Sequence, residues 1–176
     1  MSEIEVTPAH SSDPAARRVG VLVSVVGLLL SVVTIASHRA HTSAVIHRTE
    51  SNDQWSYYQA KRIRESSAQT ALSMLDALAP NAASTPAAAV RHKLELARQH
   101  YGGDARRIRK SAESFDRKAR TEERRALRYD VGEGLLELGL VLCSLYFIAR
   151  RKFFPILGLI ASILGTAIGA WGLLLR

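Results

Sequence analysis

Asp130, Glu133 and Glu137 stand three and four residues apart, so on a helix their carboxylates share one face at the start of the apolar stretch from Val131 to Ala149. A carboxylate among lipid tails is costly unless it meets a bundle interior, a water-filled cavity or a cation. The trio therefore points to a cation or proton pathway shared by several chains. The plainer alternative has Glu133 and Glu137 lying shallow and pairing with Arg125, Arg128 or a neighbouring copy.

Other chemistry-bearing residues are sparser. His38 and His41 are three apart, but two imidazoles with no nearby acid or cysteine make a poor metal site, and His92 and His100 make a poorer one. Cys143 is the only cysteine and lies in an apolar stretch, so it reads as a packing residue with no disulfide partner. Gly102-Gly103 lacks the strand and lysine of a phosphate loop, and no nucleophile elbow, zinc pattern or Ser/His/Asp constellation is visible. No metal, no cofactor and no enzymatic activity are expected. The run Asn52 to Lys61 concentrates amides and aromatics, with Trp55 and Tyr58 suited to helix packing or an oligomer contact.

The net charge of +8 is concentrated in part on Arg117, Lys118, Arg120, Arg124, Arg125 and Arg128. Such a surface would suit nucleic acid in a soluble chain. Near a bilayer, attraction to anionic headgroups of about 1 kcal/mol per cation explains it more simply, and nucleic acid is not the favoured partner.

The elements that must position these residues are helices, three of them membrane-spanning. Val19 to Ser37 and Phe153 to Leu175 carry no charge, and each is long enough to cross roughly 30 Å of hydrocarbon at about 1.5 Å per residue. About 16 residues precede Arg17-Arg18, and Ala36-Ser37-His38 is a poor cleavage site, so the first span is expected to remain as an anchor. The organisation expected is a flexible tail over 1–18, spans over 19–37, 131–149 and 154–175, an extramembrane hairpin over 38–130, and a basic turn over 150–153. Within the spans, Gly20, Ser24, Gly27, Ser31 and Thr34, and separately Gly158, Ala161, Gly165, Gly169 and Gly172, form small-residue stripes that allow close helix packing or oligomer contact. Trp171 reads as an interfacial anchor.

The hairpin follows from a seam. Tyr101, Ala105, Ile108, Ala112, Phe115, Ala119, Glu122, Ala126, Tyr129, Glu133, Leu136 and Leu140 alternate spacings of four and three, the repeat of a coiled coil. The outgoing arm offers Ser56, Ala60, Ile63, Ser67, Ala71, Met74 and Leu78 at helical spacing, continuous with the first span. A turn near 80–85, with Pro80 as stop, Thr85 as cap and Pro86 at the first helical position, joins the arms. Gly102-Gly103 should kink a continuous helix. The arms measure about 42 and about 45 residues, roughly 63 and 67 Å as helix, so they match within a turn and should lie antiparallel. Seams this rich in alanine and serine bury little apolar area, which points to homo-oligomerisation. The fold class expected is thus an all-α membrane protein with three transmembrane helices and a long antiparallel coiled-coil hairpin.

Short connections place Arg17, Arg18, Arg150, Arg151 and Lys152 on one side, predicting an extracytoplasmic hairpin against a larger opposing count around Arg39, Arg48 and Arg117 to Arg128. The aromatic box Asn52 to Lys61, the sequence Tyr129-Asp130-Val131-Gly132-Glu133 and the glycine-spaced last span resemble a bacterial membrane-protein family known as domain of unknown function 4337, over nearly the whole chain. That resemblance implies a small multi-pass protein of the bacterial inner membrane and brings no activity, cofactor or partner. Three functions follow as expectations: a homo-oligomeric scaffold or interaction protein with an unidentified protein partner, an ion channel or sensor using the acidic trio, and binding of anionic lipid or nucleic acid by the basic arm.

Overall fold

The computed structural model describes residues 14–78 and 86–174. They form three helices, α1 (Pro14–Leu78), α2 (Pro86–Ala149) and α3 (Phe153–Leu174). Each contains a stretch long and apolar enough to cross a membrane. The expected tail, the turn near 80–85 with its Thr85 cap, and Leu175 lie outside the described residues.

The first span and the polar segment after it are one helix of 65 residues, as the lack of any helix breaker before Pro80 requires. Pro86 is the first residue of α2, where its missing N–H costs nothing. The helix runs through Gly102-Gly103 without interruption. At Gly102 the glycine gives room: a Cβ there would lie 2.8 Å from Glu65 Oε1. Arg150 ends α2 in the left-handed region, φ 50°, and its N–H donates to the Tyr146 carbonyl at 2.8 Å, closing the last turn.

The chain divides into two compact units. One takes the first described part of α1 to Ala40 with α2 from Arg124 and all of α3; the other is His41–Glu123. In the three-helix unit Val19 packs with Cys143 and Tyr146, and Ala40 with Ala126 and Tyr129. α2 and α3 approach closely through glycines. A Cβ on Gly132 would lie 2.8 Å from the Gly165 carbonyl oxygen, and one on Gly139 would lie 2.8 Å from that of Gly158. At 2.9 Å from a Cβ on Gly172 stands the Tyr129 ring. Only bare backbone fits so close a contact, and small residues let helix backbones approach to this distance.

In the His41–Glu123 unit two helical segments face each other. Ala105, Ala112 and Ala119 of α2 are buried, with Tyr101, Ile108 and Phe115 half-buried between them, so the seam lies where its spacing predicts. The expected stripe of α1 does not. Ser56, Ala60, Ile63, Ser67, Met74 and Leu78 are exposed and only Ala71 is half-buried. The inward face is formed by Ala44, Ser51, Ala68 and Leu72, with Trp55, Tyr58, Lys61 and Glu65 half-buried between them. Lys61 turns inward because Asp104 receives it, a pairing invisible to apolar periodicity.

Candidate functional site

Polar side chains on the inward faces define how each unit is registered. In the three-helix unit Thr34 Oγ1 donates to Glu133 Oε1 and Ser37 Oγ to Asp130 Oδ1, both at 2.6 Å. Ser37 is buried, and hydroxyl donors satisfy two carboxylates that a purely apolar α1 would leave costly. Glu137, one turn further along α2, is exposed and makes no hydrogen bond or ion pair with any described residue. The acidic trio therefore occupies two environments: two acids on α1 hydroxyls, and one open on the apolar surface.

In the other unit the ties are ionic. The Arg48 guanidinium bridges Asp116 and Glu123, each at 2.6 Å, and chiefly through Glu123 its own pKa is raised. Ser51 Oγ donates to the Ala112 carbonyl at 3.2 Å. Lys61 Nζ donates to Asp104 Oδ2 at 2.8 Å, and Arg107 engages the other oxygen. With Lys61 first and Arg107 second, these donors hold the Asp104 carboxyl down to about 2. Lys61 also stands 5.5 Å from the Tyr101 ring centroid. Arg98 donates to Gln69 at 3.0 Å and Arg91 to Asp76 at 2.6 Å. Position rises along α1 from 48 to 76 as it falls along α2 from 116 to 91.

Trp55 and Tyr58 stack edge to face at 5.5 Å, half-buried. Gly158, Ala161, Gly165, Gly169 and Gly172 are all buried within the chain. On α1, Ser24 and Ser31 are exposed and spend their hydroxyls on the Gly20 and Gly27 carbonyls of their own helix. Gly27 lies near Leu140, whereas a Cβ on Gly20 would meet nothing within 4 Å. Of the basic surface, Arg117, Lys118 and Arg124 are exposed and Arg120 pairs with Asp116. Arg125 donates to the Gly172 carbonyl at 3.4 Å, and Arg128 stands 5.3 Å from the Trp171 ring centroid. His38 and His41 are exposed, and no group of three His, Cys, Asp or Glu among the described residues is placed to hold a metal.

Sequence reasoning missed the packing role of Gly132 and Gly139, naming Gly132 only within the motif Tyr129-Asp130-Val131-Gly132-Glu133. The signal was present: they are seven apart, as are Gly158, Gly165 and Gly172, and matched heptad glycines on consecutive helices mark a close backbone seam.

Comparison with curated proteins and with solved structures finds no match. Residues 15–175 match the model of one family, and with nearly the whole described chain covered, this protein belongs to that family, the domain of unknown function DUF4337.

Proposed function

We propose that this protein is a membrane-anchored, non-enzymatic scaffold that assembles with copies of itself. The His41–Glu123 unit acts as an antiparallel coiled-coil hairpin, and the apolar stretches of the three helices are its transmembrane anchor. The observation that carries the reading is the outward stripe of α1, where Ile63 is 67% exposed, Met74 60% and Leu78 85%, interleaved with the small residues Ser56, Ala60 and Ser67. Apolar side chains at helical spacing with small gaps between them are what a second helix packs into, and an isolated hairpin leaves them in water. Inner faces built of alanine add little burial, so self-association supplies the missing area.

Single cysteines along this stripe, placed in a Cys143→Ser chain, test it. Oxidation of Ser56→Cys, Ala60→Cys or Ser67→Cys is expected to give covalent dimers, whereas Arg117→Cys and Lys118→Cys stay monomeric. Cross-linking confined to the α2 positions, or none anywhere, would exclude the stripe as the contact.

A second reading rests on Glu137. An open carboxylate on the apolar surface of α2 is expensive in lipid, and an assembly that turned it towards a shared interior would line a cation path. Cation flux through purified protein in liposomes separates the two readings. Flux lost in Glu133→Gln with Glu137→Gln favours conduction, and flux no greater than that of empty vesicles removes it.

A further inference from the structure

Within the three-helix unit α1 and α3 leave an apolar groove of about 400 Å³, walled by Leu22, Val25 and Leu29 on one side and Leu159, Ile163 and Ala167 on the other. The hydroxyls on its floor are spent: Ser162 donates to the Gly158 carbonyl and Thr166 to that of Ser162, both at 2.8 Å. The groove thus suits hydrocarbon. Its α1 wall continues towards the helix start as the stripe Arg18, Leu22, Val25, Leu29, at spacings of four, three and four, so Arg18 sits one turn beyond the groove on the same face. Arg17 and Arg18 line a second hollow of similar volume with Pro14 and Val21. Both arginines are exposed, and neither has a carboxylate partner among the described residues. The exposed turn Arg150, Arg151 and Lys152 leaves α2 at the same end, just after Tyr146, which packs with Val19.

From this geometry we infer that the groove holds one acyl chain of an anionic glycerophospholipid whose phosphate is bound by Arg17 and Arg18. Length agrees. From Arg18 to Leu29 the helix rises about 16 Å, close to half the roughly 30 Å hydrocarbon core, so the groove spans one leaflet from its cationic end inwards. Charge agrees too, because basic pockets between membrane helices select anionic headgroups, and guanidinium pairs with phosphate in bidentate fashion. A second copy docked in the groove in the same membrane orientation would bring like cationic ends together, which opposes that occupant. This site is separate from the outward stripe of the other unit and does not depend on self-association.

The test uses the full chain, delipidated in neutral detergent and titrated with phosphatidylglycerol or phosphatidylcholine of identical acyl chains, with bound lipid counted by native mass spectrometry. The expected result is one phosphatidylglycerol held about tenfold more tightly than phosphatidylcholine. Arg17→Gln with Arg18→Gln should bring the two lipids to near parity. Ala167→Trp should fill the groove and remove tight binding while helicity is unchanged. Because the arginine pair lies outside the core, its variant remains informative if the tryptophan disturbs folding. Equal binding of both lipids by the unmodified chain would overturn the inference, as would a preference that survives in the arginine variant or is lost only when Arg150, Arg151 and Lys152 are neutralised. Loss of an assembled form in Ala167→Trp with lipid binding intact would assign the groove to a second copy instead.

Discussion

Lys61 on α1 donates to Asp104 on α2 at 2.8 Å, so the face of α1 that carries Lys61 turns inward. With Lys61 half-buried beside Tyr101, the face bearing Ile63 and Met74 must point outward. A residue poorly suited to a core thereby leaves an apolar stripe open on the opposite side.

The pair sets a pH dependence. Asp104 titrates at about 2 when folded and at ~4 when unfolded, so the unfolded chain takes up the proton first as pH falls. The stability contributed is complete above pH ~4 and is lost as pH falls from there to about 2. Melting temperature followed by circular dichroism should drop across that window. In Asp104→Asn the starting value should be lower and the drop shallower, and an unchanged slope would contradict the assignment.

The alanine seam should resist enlargement. Ala112 is fully buried and its carbonyl receives Ser51, so Ala112→Leu should destabilise the chain by about 1–3 kcal/mol through overpacking. The exposed substitution Arg117→Leu should stay within ~0.5 kcal/mol. Chemical denaturation in detergent measures both.

Close approach of α2 and α3 predicts a contrast between glycines of one helix. Gly139→Ala and Gly132→Ala push a methyl against backbone that cannot move aside, so each should lower the detergent melting temperature by several degrees. Gly134→Ala, with nothing within 4 Å, should be neutral or slightly stabilising. Equal effects at all three would argue against the seam.

The hydroxyl to carboxylate pair Thr34 and Glu133 should couple. A double-mutant cycle of Thr34→Val and Glu133→Gln is expected to give roughly 0.6–2 kcal/mol, the range of hydrogen bonds between membrane helices. A coupling near zero would place the carboxylate elsewhere.

How much of this could be read in advance depended on where the periodic residues were apolar. The α2 seam was legible because alanine or an aromatic recurs at nearly every inward position, and the structure buries or half-buries each of them. The α1 face was illegible for the opposite reason: its inward positions include Ser51 and Lys61, whose partners come from α2, about 40 to 60 residues away, and Glu65, which pairs with Arg62 of its own helix. The more apolar stripe was therefore assigned inward, whereas it faces out. For the acidic trio, spacing gave the shared face correctly. It could not reveal that Thr34 and Ser37 would satisfy two members and leave Glu137 open.

Self-association through the outward stripe is tested most directly by the protein mass of the detergent-solubilised complex, measured by light scattering with the detergent contribution removed. The account predicts more than one chain per particle for the unmodified protein, falling towards the single-chain mass in Ile63→Asp with Met74→Asp while helicity is retained. A single-chain mass for the unmodified protein, or an assembly unchanged by the two aspartates, would contradict it.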